Sequence, residues 1–267
     1  MNLSYHQKIW LGAARGLPVN EWPKFLLEVY RKKIFRPSRK TNKHLYFHPK
    51  KLKGAKIAIR EGSSDLGVLT DLLAFERYLP EKSCSRIRTI LDLGANIGCS
   101  TSHFAALFSE SRIVGVELEI NNYELALQNT ASFRKQIELI HGGVWSSCGR
   151  FPFAGKSNDA FSICENFCDG QEVNTYTIEK LIDRFGISCL DFVKMDIEGA
   201  EEEVLLKCQP EWLKKTLQIS IEVHKEYLKP MIYQRLVDFG FQVNNSSHHW
   251  CGLTATRANH SLSAGRP

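Results

Sequence analysis

The sequence of 267 residues contains no uninterrupted apolar run near the roughly 18 residues that a membrane-spanning helix needs. Its first eight residues have neither the charged start nor the apolar middle of a secretory signal peptide. These absences argue against a transmembrane or secreted protein. The sequence therefore predicts a cytoplasmic protein, with peripheral binding to a membrane as a second possibility.

Paired cysteines are also lacking. The chain has 8 cysteines, but no two are separated by the two residues typical of zinc or redox pairs. The closest pair, Cys164 and Cys168, has three residues between its members, and no histidine follows at the spacing of a zinc ligand. The pattern argues against a zinc finger and predicts buried free thiols.

Acidic residues are absent from residues 31–60, which contain 12 lysines and arginines. Subtracting these charges from the net charge of +6 leaves −6 for the rest of the chain. Such a segment attracts an anionic membrane surface, an acidic glycan or nucleic acid, and Phe35, Tyr46 and Phe47 would add stacking contacts. The alternative is a solvated basic arm beside an acidic body.

A glycine-rich turn follows the apolar run at residues 89–93 and precedes a helix. Gly94 and Gly98 allow a tight turn and a close approach of backbone to ligand. A dinucleotide site would have glycines at the first, third and sixth positions, but Asn96 and Cys99 occupy the last two. NAD-linked oxidoreduction is therefore disfavoured, and S-adenosylmethionine, which carries no phosphate, fits better.

Two carboxylates accompany this turn. Asp92 lies two residues before Gly94, and Glu117 ends the next apolar run at residues 113–116. A carboxylate at the end of the second strand is placed to accept hydrogen bonds from both hydroxyls of a ribose. The alternative is an ordinary strand-to-helix turn that binds nothing.

Strands and helices alternate from residue 89 onward. The apolar pattern predicts strands at 89–93, 112–117, 137–141, 173–177, 191–196 and 217–224, a hairpin from 241–243 and 251–256, helices at 64–79, 99–108, 178–185, 200–207 and 227–239, a helix opened by Asn121 with Glu124, and a loop at 146–172. Alternation of this kind predicts an α/β fold with a mostly parallel sheet, an antiparallel C-terminal edge and helices on both faces.

Two predicted strands end in acidic residues. Because side chains alternate along a strand, Asp196 and Glu198 should share one face, as should Glu222 and His224. Ligands of open α/β sheets bind beyond the carboxyl ends of the strands, so these residues would converge if the two strands are neighbours. Crowded acids cost stability, which favours a functional cluster. In the structural alternative Glu198 pairs with Lys194 and His224 is a core residue.

Three motifs, in this order and at these intervals, resemble the FkbM-type S-adenosylmethionine-dependent methyltransferases: LDLGANIG at 91–98, DFVKMDIEGAE at 191–201 and IEVH at 221–224. The resemblance extends over about residues 58–256, with supporting fragments at 60–65, 125–129 and 175–179. It implies a Rossmann-like class I methyltransferase sheet and O-methylation of a hydroxyl, of a sugar in a glycan or glycosylated metabolite.

The same resemblance implies which residues bind the cofactor S-adenosylmethionine: Asp65, Asp92, Gly94, Asn96, Gly98, Glu117 and Asn129. One departure is Leu118, where the family often has proline. Residues 1–57 match nothing in the family, so we expect a basic, partly helical extension there and a methyltransferase domain at 58–267.

For the chemistry, our hypothesis makes His224 the base that removes the acceptor proton, with Glu222 orienting it and Asp196 and Glu198 positioning hydroxyls. A divalent ion between Asp196, Glu198 and Glu222 is the alternative, which we do not predict, because such carboxylates more often bind hydroxyls or water. Two other classes stay open: an RNA-modifying methyltransferase guided by the basic segment, and a non-catalytic cofactor-binding module.

Overall fold

The computed structural model describes residues 5–34, 43–75, 78–80, 86–157, 160–163, 171–246 and 251–257. Its helices are α1 (Tyr5–Gly16), α2 (Trp22–Ile34), α3 (Asp65–Thr70), α4 (Cys99–Leu107), α5 (Ile120–Thr130), α6 (Ile178–Phe185), α7 (Glu201–Leu205) and α8 (Lys229–Asp238). Within these ranges, none of the helices has the length and apolar character needed to cross a membrane.

The strands are β1 (His44–Phe47), β2 (Ile57–Arg60), β3 (Thr89–Leu93), β4 (Arg112–Glu117), β5 (Ile137–His141), β6 (Gly143–Val144), β7 (Gly149–Ser157), β8 (Ala160–Ile163), β9 (Gln171–Tyr176), β10 (Leu190–Met195), β11 (Thr216–Glu222), β12 (Phe241–Asn245) and β13 (Gly252–Arg257). The central sheet has seven strands in the order β12-β13-β11-β10-β3-β4-β5. Strands β5, β4, β3, β10 and β11 pair in parallel, whereas β13 runs antiparallel to both of its neighbours. This arrangement confirms the predicted mostly parallel sheet with an antiparallel C-terminal edge.

The sheet is covered on both faces because its buried strands are apolar on both sides. Ile90 and Phe192 point to one face, where Phe104 of α4 packs against Phe192 with ring centroids 5.6 Å apart. Leu91 and Val193, one residue further along each strand, belong to the hydrophobic cluster that contains α6, α7 and α8. Period-2 alternation in β3 and β10 thus builds two separate cores.

The N-terminal segment is packed against the domain that follows it. Leu17, Phe25, Phe47 and Leu52 are buried in one hydrophobic cluster with Leu69 of α3. Strand β1 also pairs antiparallel with β2. The proposed extension at residues 1–57 therefore has an apolar anchor despite its basic charge.

The basic segment at residues 31–60 is partly neutralised. Arg31 and Lys43 both contact the carboxylate of Glu61, whereas Lys50 and Lys53 are exposed. Phe35, Arg36, Arg39 and Lys40 lie outside the described residues. An anionic surface or nucleic acid as the partner of this segment stays a prediction.

Three local predictions need correction. The helix expected at 64–79 is α3 followed by a π-helical turn at Asp71–Phe75. The loop expected at 146–172 contains β7 and β8, which join β6 and β9 in a four-stranded sheet. Its described apolar side chains Phe153 and Val173 are buried, which gives these short strands a reason to pair. Helix α5 is capped by Glu119, which accepts from the Asn122 amide, and not by Asn121.

We predict that Gly12→Ala destabilises the protein, although alanine normally stabilises a helix interior by about 1 kcal/mol relative to glycine. A Cβ at Gly12 would lie 2.6 Å from Cβ and 2.8 Å from Cα of Ala74, so helix and turn would have to separate. We expect the free energy of unfolding to fall by about 1 kcal/mol after both effects. Chemical denaturation measures this, with the exposed Lys8→Ala as control. A stabilised Gly12→Ala variant would refute this close packing.

Candidate functional site

The glycine turn between β3 and α4 brings the ends of two strands together. Gly94 has a φ of 79°, and a Cβ at this position would lie 1.8 Å from the carbonyl oxygen of Asp196, the residue after β10. Asn96 also has a left-handed φ, of 50°, and Gly98 has a φ of 80° at the start of α4. Only glycine at position 94 allows this approach of two backbones.

Glu117 lies at the end of β4, as the sequence predicts, and it faces this turn. Its Oε2 accepts from the Asn96 amide at 2.7 Å, and its Oε1 accepts from the Glu119 amide at 2.9 Å. Burial raises the pKa of Glu117, these hydrogen bonds lower it, and the balance is a pKa of about 7. The carboxylate is thus rigidly held and close to its titration point at neutral pH.

Asp92 and Lys194 form a buried ion pair beneath the turn. Asp92 Oδ2 accepts from Ser100 Oγ at 2.8 Å and from Thr101 Oγ1 at 2.6 Å. Lys194 Nζ lies 3.5 Å from Asp92 Oδ1 and donates to the carbonyl oxygen of Gly94. Burial lowers the pKa of Lys194, but the surrounding carboxylates outweigh this and raise it overall. The ammonium therefore stays charged inside the protein.

Asp65 and Asn129, expected to line the cofactor site, are held behind the turn. Asp65 accepts from Arg60 Nε and Nη2 at 2.8 and 2.7 Å. Asn129 accepts from the Ala58 amide at 2.7 Å and donates to the Ile97 carbonyl at 2.8 Å. Asn129 therefore supports the turn through Ile97, Asp65 holds Arg60, and neither residue contributes to the walls of the cavities described next.

Two cavities open at this edge of the sheet. The first cavity lies between the glycine turn and the end of β4, and its walls include Asn96, Glu117, Leu118, Gly143 and Ile197. The second lies beside α4, and its walls include Tyr78, Ser100, His103, Phe104 and Lys194. Gly94, Asn96 and Asp196 line both. Asp196 therefore stands at the junction of the two cavities.

The acidic strand ends converge, as expected if their strands are neighbours. Strand β10 lies beside β11, and His224 Nε2 is 3.3 Å from Glu198 Oε2, 3.5 Å from Asp196 Oδ1 and 4.0 Å from Glu222 Oε1. We call Asp196, Glu198, Glu222 and His224 the acid–histidine cluster. Glu198 adopts a φ of 52°, an unfavourable value for a residue with a Cβ, and such strain is typical of functional sites.

Two residues that contact the acid–histidine cluster, Glu201 and Tyr78, were not predicted from the sequence. Glu201 is fully buried, and its Oε1 lies 3.0 Å from His224 Nδ1, in the orienting position that we expected for Glu222. Glu222 Oε2 instead accepts from the Tyr78 hydroxyl at 2.5 Å, and that hydroxyl is also 3.1 Å from Asp196 Oδ2. Glu201 ends the DIEGAE motif, so the motif could have identified it as a site residue. No local sequence pattern marks Tyr78 as one.

The protonation of His224 follows from these neighbours. Burial lowers the pKa of His224, but hydrogen bonds with Glu198 and Glu201 and nearby negative charge outweigh burial and raise it to about 11. The imidazole is therefore a cation at neutral pH in this environment. As a cation it binds carboxylates and cannot accept a further proton.

Comparison with known proteins identifies the chain. A family profile described as "Methyltransferase FkbM domain" matches residues 92–243, more than half of the sequence. The chain belongs to the FkbM methyltransferase family. The match includes the turn, Glu117 and the acid–histidine cluster, and it confirms the resemblance drawn from the motifs.

Solved structures of similar fold include a methyltransferase from Geobacter sulfurreducens, with 14% identity over 96% of this chain and 98% of that one and a TM-score of 0.43. Another, from Pyrococcus furiosus, has 13% identity over 90% of this chain and 99% of that one, with a TM-score of 0.42. No curated protein has a significant sequence match to this FkbM methyltransferase.

We predict that Gly94→Ala severely destabilises the protein, because no alanine fits 1.8 Å from the Asp196 carbonyl oxygen. Gly62→Ala is a matched control, since Gly62 has a similar φ of 74° but nothing within 4 Å of the added Cβ. The free energy of unfolding of the control should fall only by the cost of placing alanine in the left-handed region, about 1–2 kcal/mol. The test is denaturant unfolding of both variants, and equal losses would show that close approach is unimportant.

The pKa of Glu117 predicts a pH dependence of stability. The pKa of Glu117 in the folded protein, about 7, exceeds the usual 4.5. Between about pH 4.5 and pH 7 the native state therefore keeps a proton that the unfolded chain has released. Relative to Glu117→Gln, wild type should lose up to roughly 3 kcal/mol of unfolding free energy as pH rises through that range. Unfolding at several pH values tests this, with the exposed Glu110→Gln as control, and a constant difference would contradict it.

Proposed function

We propose that this FkbM methyltransferase uses S-adenosylmethionine and methylates a hydroxyl group of a sugar, in a glycan or a glycosylated metabolite. The observation that carries the proposal is the position of Asp196. Its backbone touches the glycine turn, and its side chain belongs to the acid–histidine cluster. A methyl donor in the first cavity and an acceptor hydroxyl at the cluster would therefore be neighbours.

The first cavity suits the cofactor. Oε2 of Glu117 accepts one strong backbone hydrogen bond and has a second lone pair for a ribose hydroxyl, whereas Oε1 accepts a backbone hydrogen bond and a long contact of 3.5 Å from Asn122 Nδ2. Gly94 and Asn96 of the turn form part of the wall of this cavity. When bound, S-adenosylmethionine supplies a methyl group on a sulfonium, which is a good leaving group. The protein therefore has to align the acceptor and exclude water.

The chemistry of the acid–histidine cluster supports a neutral, hydroxyl-rich acceptor. Carboxylate oxygens accept hydrogen bonds from hydroxyl donors, and Asp196 and Glu198 remain partly exposed while Glu201 is fully buried. The same negative charge repels phosphate groups, so RNA is a poor match at the point where the acceptor would bind. A sugar offers several hydroxyls at the spacing of neighbouring carboxylates.

The acceptor must also lose its proton. Since His224 is a cation in this cluster, we propose that the carboxylate of Asp196 or Glu198 accepts the hydrogen bond and then the proton of the acceptor hydroxyl, and that His224 has a positioning role. Glu201 fixes Nδ1 of the ring, and Tyr78 fixes the carboxylates of Glu222 and Asp196. We propose this assignment in place of the hypothesis that His224 is the base and that Glu222 orients it.

The test offers methyl-labelled S-adenosylmethionine to the full chain with glycans, lipid-linked sugars and RNA. We expect label in a hydroxyl-bearing sugar fraction, and a fall of about 10²–10⁴-fold in turnover for Asp196→Asn, because the acceptor loses its charged hydrogen-bond partner. Glu138→Gln, at an exposed ion pair with Arg112, is the matched control and should keep full activity.

Transfer of label to RNA would overturn the assignment of the acceptor. Undiminished turnover by Asp196→Asn would remove the acid–histidine cluster from the mechanism. Binding of the cofactor without transfer to any acceptor class would instead favour a binding module.

A further inference from the structure

The contacts of His224 Nε2 have an unusual length. A charge-assisted hydrogen bond between an imidazolium and a carboxylate is about 2.7–2.9 Å long. The separations from Nε2 to Glu198 and Asp196 are 3.3 and 3.5 Å, whereas Nδ1 approaches Glu201 to 3.0 Å. The contact of Nε2 with Glu198 is thus longer than a strong charge-assisted hydrogen bond, and the contact with Asp196 is longer still.

These separations match those between ligands of one metal ion. Two ligand atoms each about 2.1 Å from an ion lie about 3.0 Å apart at a right angle and about 3.4 Å apart at a tetrahedral angle. One ligand atom from each of Asp196, Glu198 and His224 falls within 4.8 Å of the other two. We infer that these three residues bind a divalent cation of the first transition row, such as Mn²⁺ or Zn²⁺.

A second observation points to a cation at this place. Glu201 is fully buried behind the ring, and its Oε2 has no hydrogen-bond partner among the described residues. A buried carboxylate on the outer nitrogen of a ligating histidine fixes the ring and aims the other nitrogen at the metal. Four carboxylates surround this point, and Lys194 is a cationic neighbour of one of them, Asp196.

The donor set indicates the kind of ion. Imidazole nitrogen suits Zn²⁺ and Fe²⁺, carboxylate oxygen suits Mn²⁺ and Mg²⁺, and Ca²⁺ prefers oxygen alone. Glu222 is not in the set, because its Oε1 is 4.0 Å from Nε2, which is longer than the spacing of ligand atoms given above. The ligand set therefore differs from the alternative of Asp196, Glu198 and Glu222 considered from the sequence.

The position of the ion would let it act on the acceptor hydroxyl, and this part of the inference rests on the proposed function. Asp196 lines both cavities, so open coordination positions would face the acceptor. An acceptor hydroxyl bound to a divalent cation is more acidic, and its proton would pass to the carboxylate of Glu222, the member of the acid–histidine cluster outside the ligand set. The cation would occupy the place of the proton on Nε2.

Direct titration tests the inference. Metal-stripped full-length protein is titrated with MnCl₂ while free Mn²⁺ is followed by electron paramagnetic resonance, with Zn²⁺ and Mg²⁺ as competitors. We expect one Mn²⁺ per chain, displaced by Zn²⁺, and at least tenfold weaker binding by His224→Ala and Asp196→Asn. Glu201→Gln should weaken binding 10–100-fold. Glu211→Gln, an exposed carboxylate beside Lys214, is the control and should bind normally.

Two further measurements keep the outcome decisive. Electron spin echo modulation of bound Mn²⁺ should show nitrogen coupling from His224. This measurement uses the wild-type protein, so it does not depend on the folding of a variant. Absence of stoichiometric binding, absence of nitrogen coupling, or unchanged binding by His224→Ala would overturn the inference. Calorimetry of S-adenosylhomocysteine on the same material separates the two proposals: cofactor binding without metal binding sinks only the cation site, and the reverse result sinks only the proposed function.

Discussion

The buried ammonium group of Lys194 is the interaction on which this site depends. It lies 3.5 Å from carboxylate oxygens of both Asp92 and Asp196, donates to the Gly94 carbonyl and sits 5.0 Å from the centroid of the Tyr78 ring. Without that positive charge, the carboxylates of Asp92 and Asp196 would repel each other, and Asp92 is fully buried from the water that would screen it. Removal of one partner from such a buried group typically costs 3–5 kcal/mol.

The register of the sheet places this charge between the two halves of the site. Asp92 of β3 lies directly beside Lys194 of β10, and Lys194 lies beside Ser220 of β11. The glycine turn follows β3, and the acid–histidine cluster lies at the ends of β10 and β11. One lysine on the middle strand therefore holds together a cofactor wall and an acceptor wall at the edge of the sheet where ligands bind.

The parts that the sequence could predict are those encoded by neighbouring residues. The strand before Gly94 and the carboxylate of Glu117 at the end of β4 each follow from a few adjacent residues. Asp196 and Glu198 do meet, but they lie beyond the end of β10 and Glu198 has a φ of 52°, so a turn and not strand alternation brings them together. Tyr78 could not be found, since it reaches Glu222 across 144 positions of sequence and no local pattern marks it. The partners of Asp65 and Asn129 are likewise tertiary contacts, so a motif could name these residues but not what their side chains bind.

The central claim is that one edge of the sheet binds the cofactor through Glu117 and the acceptor through the acid–histidine cluster. Calorimetric titration of S-adenosylhomocysteine into wild type, Glu117→Gln and His224→Gln tests it most directly. The account predicts that Glu117→Gln loses at least tenfold in affinity while His224→Gln binds like wild type. Equal affinity in all three proteins, or an equal loss in both variants, would contradict a site divided in this way.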